Sequence, residues 1–296
     1  MSDPEGHSGG KNAADIPEAA GAGEAVQRLL EEVGEETQPQ PASYIGGFRG
    51  RTVIITGGAT GLGRSTAFEF ARAGANVAFN WLDLPERPIG EAAARTELEL
   101  QRLEVGVVAE RVDIRDAAAV EQFVARVEEA LGGVHYLVNA AGIHRSAVLW
   151  RMTDEQWSDV LDVNLTGAFN TIRAVTPIFR SQRFGKIVNI SSVQALEGNF
   201  GIANYAASKA GLLGLTRSAA AELGPSNVNV NAVAPGFVRT DMLADVPDDV
   251  VQASQQRAAL RRLPEALDIA HVVLFLCSEL ARQITGQAIR VDAGLL

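Results

Sequence analysis

The chain of 296 residues contains a single cysteine, Cys277, so it has no internal disulfide bond. Such sparse use of cysteine is typical of a reducing compartment, and we expect a cytoplasmic protein. Cys277 ends an apolar stretch with helical spacing, which predicts a buried, inert thiol. Residues 1–6 lack the basic and apolar regions of a secretory signal, so export is not expected.

Long apolar runs and an excess of basic charge are also missing. No stretch of about 18 apolar residues is present to span a bilayer. The formal net charge is -10, and residues 1–48 supply most of it with nine acidic and two basic residues. A nucleic-acid-binding protein usually shows the opposite balance. We therefore expect neither a nucleic acid nor a membrane as a partner.

Histidine is rare, and its four copies, His7, His135, His144 and His271, are scattered along the chain. They form no pair with the spacing of metal ligands, and we predict no metal site.

The first 48 residues are rich in glycine, proline, alanine and glutamate, a composition that cannot bury enough apolar surface to fold. We predict a disordered acidic extension over 1–48. Residues 25–33 have the apolar spacing of a short amphipathic helix, for which a transient helix is favoured over a docked one. We expect a chain that starts near Tyr44 to keep its stability and its activity.

From Arg51 onward, short β-branched runs alternate with longer amphipathic ones, which is typical of βαβ units and a buried parallel sheet. The pattern predicts one doubly wound α/β domain over residues 49–296. Seven strands are predicted, at about 52–56, 76–81, 107–112, 134–139, 185–191, 227–233 and 287–291.

A glycine-rich turn follows the first predicted strand and opens a helix at Arg64. Its residues Gly57, Gly61 and Gly63 lack a Cβ, so a pyrophosphate can approach the backbone N–H groups and the positive end of the helix dipole. A purely structural turn is the alternative. Two further candidate cofactor contacts follow the third and fourth strands, at the carboxyl edge of the sheet. Asp113 is suited to accept a hydrogen bond from an adenine amino group, and the small residues after Asn139 leave room for a cofactor ring.

The pair Tyr205 and Lys209 is the most specific feature. Residues four apart share one face of a helix. A free tyrosine titrates near ~10, and a neighbouring cation lowers that pKa. Tyr205 is thus suited to act as general acid in carbonyl reduction and general base in alcohol oxidation. Ser192, at the end of the fifth strand, is placed to hydrogen-bond the substrate oxygen. Asn164, in a predicted helix, offers an amide for a proton path behind Lys209.

These motifs, Thr-Gly-x-x-x-Gly-x-Gly, Asn-Ala-Ala-Gly, Ser, Tyr-x-x-x-Lys and Pro-Gly, resemble those of the short-chain dehydrogenase/reductases over residues 50–294. The resemblance implies a Rossmann-like fold, a nicotinamide cofactor, hydride transfer and a homotetramer. It implies a catalytic tetrad of Asn164, Ser192, Tyr205 and Lys209, with Lys209 also gripping the nicotinamide ribose. The cofactor-binding residues that it implies are Gly57, Thr60, Gly61, Leu62, Gly63, Trp81, Asp113, Ile114, Asn139, Ala140, Ala141, Gly142, Tyr205, Lys209, Pro235, Gly236, Val238 and Thr240.

Within the family, the segments around Asn139, Thr153 and Tyr205 are most similar to 3-oxoacyl-acyl-carrier-protein reductases, which implies a 3-oxoacyl thioester as substrate. A sugar dehydrogenase or another alcohol dehydrogenase of the same family is the alternative. A protein that senses NAD(P) without turnover is a further alternative, because a fold does not guarantee activity.

We predict NADP(H) rather than NAD(H) as the preferred cofactor. NAD-preferring relatives usually end the second strand in an acid that repels a 2′-phosphate, and Trp81 stands there. Use of NAD(H) stays open, because Thr60 occupies a position where NADP-preferring relatives often have arginine, and Asp83 is near enough to replace the acid. The predicted substrate pocket is partly apolar and consists of His144, Gln194, Leu196, Phe200, Phe237 and Met242.

Overall fold

The computed structural model describes residues 46–83, 88–238 and 248–295. They contain seven parallel strands in one sheet, in the order β3-β2-β1-β4-β5-β6-β7. The strands are β1 (Thr52–Thr56), β2 (Asn76–Trp81), β3 (Val107–Arg111), β4 (Tyr136–Asn139), β5 (Gly185–Ile190), β6 (Val228–Pro235) and β7 (Ala288–Val291). The predicted seven-stranded, doubly wound α/β sheet is confirmed.

The α-helices of these ranges connect the strands. They are α1 (Gly61–Arg72), α2 (Gly90–Gln101), α3 (Ala117–Leu131), α4 (Asp154–Leu161), α5 (Gly167–Gln182), α6 (Gln194–Glu197), α7 (Ala203–Leu223), α8 (Asp248–Arg257) and α9 (Ala266–Cys277). Within the described ranges, no helix has both the length and the apolar character that crossing a membrane requires.

Both faces of the sheet are buried, which explains why the strands are almost continuously apolar. Val53 and Ile55 belong to the core that packs under α1, α2 and α9. Ile54, between them, belongs to the core under α3, α5 and α7. Side chains that alternate along one strand thus belong to two separate cores, one on each face of the sheet.

Phe48, which the sequence placed at the end of the extension, is fully buried. Its ring contacts those of Phe70 and Tyr136 at centroid distances of 5.3 Å each. The packed part of the domain therefore includes Phe48. The predicted helical segment 25–33 lies outside the described residues.

Cys277 ends α9 and is buried, as predicted, and burial raises the pKa of its thiol. A protonated, enclosed thiol is a poor nucleophile. The cysteine therefore belongs to the core.

The strand order reverses between β1 and β4. The chain runs outward from β1 to β2 and β3, and then returns to place β4 on the other side of β1. In open α/β sheets, a crevice for a ligand opens at such a switch point, outside the carboxyl ends of the strands. The glycine turn after β1 and the loop after β4 lie at this point.

Candidate active site

The turn after β1 is packed so closely at Gly57 and Gly63 that neither position admits a larger residue. A Cβ added to Gly63 would lie 2.3 Å from the carbonyl oxygen of Gly57. A Cβ added to Gly57 would lie 2.9 Å from the Cα of Ala141, and Gly57 has a φ of +67°, which favours glycine. The turn therefore presents only backbone atoms at these two positions, as close approach of a pyrophosphate requires.

Helix α1 begins directly after Thr60, whose side chain makes no cap hydrogen bond. The start of α3 differs, because Asp116 accepts hydrogen bonds from Ala118 N (2.9 Å) and Ala119 N (3.1 Å). The first N–H groups of α1 are thus left for a ligand, at the positive end of the helix dipole. This arrangement fits the pyrophosphate of a dinucleotide.

Asn80, which the sequence patterns did not single out, fixes this turn from β2. Its Oδ1 accepts a hydrogen bond from Gly57 N (3.3 Å), and its Nδ2 donates to the carbonyl oxygen of Val112 (2.8 Å). Its own carbonyl oxygen accepts a hydrogen bond from Gly58 N (3.2 Å). A polar residue near the end of an apolar strand was the one available signal for this role.

The end of β2 carries Trp81, so no carboxylate stands at that position. Asp83 caps a helix instead, since its Oδ1 accepts hydrogen bonds from Ile89 N (2.7 Å) and Gly90 N (3.2 Å) at the start of α2. Its Oδ2 lies 3.7 Å from Nε of Arg111. For Asp83 to replace the missing acid, it would have to give up this cap.

Asp113, which follows β3, is paired with Arg115. Oδ2 of Asp113 accepts a hydrogen bond from the Arg115 guanidinium at 2.7 Å, and Oδ1 accepts one from its backbone N–H at 2.9 Å. Burial raises the pKa of Asp113, but the hydrogen bonds and the charge of Arg115 outweigh it, and the net pKa is lowered. Asp113 is therefore an ionised acceptor. Ile114, beside it, is buried.

The loop after β4 is fixed to β1. The N–H groups of Ala140 and Ala141 both donate to Oγ1 of Thr56, at 3.0 Å each. Nδ2 of Asn139 donates to Oδ1 of Asn189 (2.9 Å), and Oδ1 of Asn139 accepts a hydrogen bond from a threonine of α5 (2.6 Å). Because both side-chain atoms of Asn139 are engaged within the protein, a contribution of this residue to cofactor binding would come from its backbone.

Tyr205 lies in the first turn of α7, and Ser192 lies just after β5. Burial raises the pKa of Tyr205, and the influence of the Ser192 hydroxyl as a hydrogen-bond partner offsets this only in part. The sequence argument, that a neighbouring cation lowers this pKa, was wrong in direction because desolvation of the phenolate dominates. The phenol is therefore protonated at neutral pH.

Lys209 follows one helical turn later, and its Nζ lies 5.8 Å from the centroid of the Tyr205 ring. The Nζ donates a hydrogen bond to the carbonyl oxygen of Ile190 (2.7 Å), at the end of β5. Burial lowers the pKa of Lys209 to about 8. The ammonium is thus mostly charged at neutral pH and loses its proton in mild alkali.

Asn164 lies in a π-helical turn, Asp162–Thr166, that joins α4 to α5, where the sequence predicted an ordinary helix. Oδ1 of Asn164 accepts a hydrogen bond from Ile143 N (2.8 Å), and its Nδ2 donates to the carbonyl oxygen of Ile143 (3.0 Å) and to Oγ of Ser208 (3.1 Å). Single π turns inside helices are frequent at functional sites. Here the turn ties the loop after β4 to α7.

The structure brings Asn164 and Lys209 together beside Gly142. A Cβ added to Gly142 would lie 3.3 Å from Oδ1 of Asn164 and 3.4 Å from Nζ of Lys209. Lys209 lies beside Tyr205, and Ser192 is close enough to lower the pKa of the Tyr205 phenol. An amide, a hydroxyl, a phenol and an ammonium therefore meet at the carboxyl edge of the sheet.

The loop after β6 is fixed by its neighbours. The carbonyl oxygen of Pro235 accepts a hydrogen bond from Val193 N (3.0 Å), and Gly236 N donates to the last residue of β7 (3.1 Å). The other residues predicted for this end of the site are Val238, which is buried, and Thr240 and Met242, which lie outside the described residues.

The predicted substrate residues differ in exposure. His144 is exposed, and Phe237 and Gln194 are half-buried, with Oε1 of Gln194 enclosed and unpartnered among the described residues. Leu196 and Phe200 are exposed, and Phe200 contacts Trp150. Sequence reasoning missed Trp150, although a tryptophan in a loop after the fourth strand was a signal.

This combination defines a class. A glycine turn at the switch point suits a dinucleotide, and a protonated phenol beside a hydroxyl and an ammonium suits proton transfer to an oxygen. The protein is an NAD(P)-dependent oxidoreductase that acts on carbonyl or secondary alcohol groups.

Comparison with known proteins identifies the family. A family profile described as enoyl-(acyl carrier protein) reductase matches residues 57–296. A 3-oxoacyl-acyl-carrier-protein reductase of Staphylococcus aureus is 41% identical over 245 residues, which cover 83% of this chain and 98% of the relative. Enzymes of the same name from Thermotoga maritima and Aquifex aeolicus are 38% and 39% identical over the same shares of each chain. The chain belongs to the short-chain dehydrogenase/reductase family.

Proposed function

We propose that this protein reduces the 3-oxo group of 3-oxoacyl thioesters with NADPH, in the cytoplasm. The observation that carries the proposal is the buried Lys209, whose Nζ lies 5.8 Å from the centre of the Tyr205 ring and donates a hydrogen bond to the end of β5, where Ser192 follows. The names of the relatives support the thioester class.

The four residues are assigned the roles that the family resemblance implies, and their contacts support them. The nicotinamide cofactor, when bound, supplies the hydride. The Tyr205 phenol, protonated at neutral pH, donates the proton to the carbonyl oxygen, and the Ser192 hydroxyl holds that oxygen by a hydrogen bond. Lys209 stabilises the phenolate that remains and binds the nicotinamide ribose. Asn164 positions the loop after β4 against α7.

At neutral pH the Tyr205 phenol is in the protonation state that reduction requires. A general acid must carry its proton before the reaction, and the raised pKa of Tyr205 keeps it there. Oxidation of an alcohol needs the phenolate, which the same burial disfavours.

The preference for NADPH is supported at the end of β2. Trp81 brings no negative charge against a 2′-phosphate, and Asp83 is engaged in capping α2. Arginine at position 60 would strengthen the preference, and threonine stands there. We therefore expect some turnover with NADH.

A homotetramer belongs to the same proposal. The family resemblance implies an assembly built partly on the helices around Asn164 and Tyr205. Apolar side chains are available there, since Trp157 of α4 and Phe169 of α5 are 40% and 43% exposed. Light scattering during size-exclusion chromatography measures the mass directly.

The function is tested with a panel of 3-oxoacyl thioesters, simple ketones, sugars and steroids, followed by loss of reduced-nicotinamide absorbance with NADPH and NADH. The proposal predicts the highest kcat/KM for a 3-oxoacyl thioester with NADPH. Turnover confined to sugars or to simple alcohols would assign the chain to another branch of the family. Cofactor binding without turnover of any compound would favour a sensing role.

A further inference from the structure

Two aromatic side chains form a conspicuous exposed pair. Trp150 and Phe200 are 75% and 77% exposed, more than any other large apolar residue in the described ranges. Their ring centroids lie 6.5 Å apart, edge to face. Single exposed apolar residues are normal on a protein surface. Two aromatic side chains that come from separate loops and contact each other form an exposed apolar patch, a feature typical of binding sites.

The two loops are built to hold this pair. Ala147 N donates a hydrogen bond to the carbonyl oxygen of Gly201 (2.9 Å), which joins the loop after β4 to the loop before α7. Gly198 and Gly201 have φ values of +69° and +77°, so the chain reverses tightly on both sides of Phe200. Exposed leucines lie close in sequence to both rings, because Leu149 precedes Trp150 and Leu196 of α6 lies four residues before Phe200.

Both loops lead directly to the reacting groups. The Phe200 loop connects α6, which starts just after Ser192, with Tyr205. The Trp150 loop runs on from the segment that Asn164 holds. Nδ2 of Asn204, next to Tyr205, donates to the carbonyl oxygen of Arg145 (2.9 Å) and ties the two loops together at their base. The pair therefore lies on two loops that adjoin the site of proton transfer.

We propose that the Trp150–Phe200 pair binds the alkyl chain of the acyl group and selects substrates whose chain is longer than four carbons. This inference rests on the proposed function. A 3-oxoacyl thioester has its polar arm on one side of the reacting carbonyl and only methylene groups on the other. The apolar side needs an apolar surface next to Ser192 and Tyr205, and the pair, with the leucines near it in sequence, supplies one.

The expected effect is graded with chain length. A four-carbon acyl group ends one methyl beyond the reacting carbonyl and is too short to cover both rings. Each further methylene group that is buried against the Trp150–Phe200 pair raises kcat/KM by about two- to fourfold. The aromatic rings lose little side-chain freedom on binding, which suits them to bind an alkyl chain.

The test compares 3-oxobutanoyl and 3-oxodecanoyl thioesters of N-acetylcysteamine with the full-length enzyme and NADPH. The measured quantity is the ratio of their kcat/KM values. Wild type is expected to favour the ten-carbon substrate by about tenfold or more. Trp150→Ala and Phe200→Ala should each reduce that ratio by about fivefold, through KM. Leu98→Ala, at a 60% exposed leucine of α2, is the matched control and should leave the ratio at the wild-type value.

The outcomes separate the two proposals. Turnover of both thioesters with a ratio near one in wild type, or a ratio that Trp150→Ala and Phe200→Ala leave intact, would overturn the role of the pair and leave the proposed function standing. Failure to reduce either thioester would overturn the proposed function, and the role of the pair with it. If the Trp150→Ala and Phe200→Ala enzymes elute as smaller species, a second copy of the chain covers the pair, which contradicts an acyl-binding role.

Discussion

Nζ of Lys209 lies 5.8 Å from the centre of the Tyr205 ring, one turn further along α7, where Lys209 is buried and Tyr205 is half-buried. Burial acts on them in opposite directions. It raises the pKa of the phenol and lowers that of the ammonium to about 8. The phenol therefore holds its proton at neutral pH, while the ammonium is close to losing its own.

The first prediction concerns pH. Reduction uses the protonated phenol, so its kcat/KM should change by no more than about twofold between about pH 6 and about pH 8, where half of Lys209 has lost its charge. Oxidation of the product alcohol needs the phenolate and should rise over the same interval. Initial rates in both directions, in buffers of constant ionic strength, check this. A reduction rate that falls tenfold across that interval would show that the phenol titrates near neutrality.

The second prediction concerns stability. Each pKa unit corresponds to about 1.36 kcal/mol, so charging buried Lys209 costs the folded protein about 3 kcal/mol. Lys209→Met removes that cost and forfeits one hydrogen bond, worth about 1 kcal/mol. At pH 7 the variant, without cofactor, should gain about 2 kcal/mol in free energy of unfolding while losing activity.

The sign with pH follows from the lowered pKa of Lys209. Between about 8 and its unfolded value of 10.5, the unfolded chain binds more protons, so the wild type becomes more stable as pH rises. The advantage of Lys209→Met should therefore narrow from pH 8 upward. Denaturant unfolding at two pH values measures both effects, and a variant less stable than wild type at pH 7 would contradict the desolvation argument.

The third prediction concerns Asp83. If this carboxylate caps α2, Asp83→Ala should lower the free energy of unfolding by about 1 kcal/mol. The ratio of kcat/KM with NADPH to that with NADH should stay within about twofold of wild type. Thr153→Ala removes the cap of α4, away from β2, and serves as the control for cap loss alone. A large, selective fall in NADH use in Asp83→Ala would show that the carboxylate binds the ribose diol.

The fourth prediction concerns the glycine turn. A Cβ at position 63 would lie 2.3 Å from a backbone oxygen, so Gly63→Ala must displace the turn. We expect NADPH affinity, followed by fluorescence titration, to fall at least about tenfold, the equivalent of about 1.4 kcal/mol. Gly132→Ala is the control, because that glycine has a φ of +75° but open space around it and lies at the end of α3. An equal loss of affinity in both variants would mean that general destabilisation is responsible.

The sequence predicted the sheet well because both of its faces are buried. Strands such as Thr52–Thr56 are buried throughout, and the observed strand ends lie within two residues of the predicted ones. Ser192 and the Tyr205–Lys209 pair could be predicted because the first follows a strand and the other two share a helix face, whereas Asn164 was implied by the family resemblance.

Other features depend on contacts that spacing does not encode. Asn80 accepts a hydrogen bond from Gly57 N, and Asp83 accepts one at the start of α2. Both are side-chain hydrogen bonds between separate elements. The raised pKa of Tyr205 depends on burial, whereas the sequence argument weighed only the charge of Lys209. Trp150 became a candidate site residue only through its contact with Phe200, 50 positions away.

The central claim is that the Tyr205 phenol donates the proton. Tyr205→Phe removes one oxygen and keeps the ring, so fold and cofactor binding should survive. The most direct measurement pairs the single-turnover reduction rate with NADPH affinity in this variant. The account predicts a rate lower by at least about 10²-fold at nearly constant affinity. A Tyr205→Phe enzyme that binds NADPH normally and reduces its best substrate at close to the wild-type rate would contradict it.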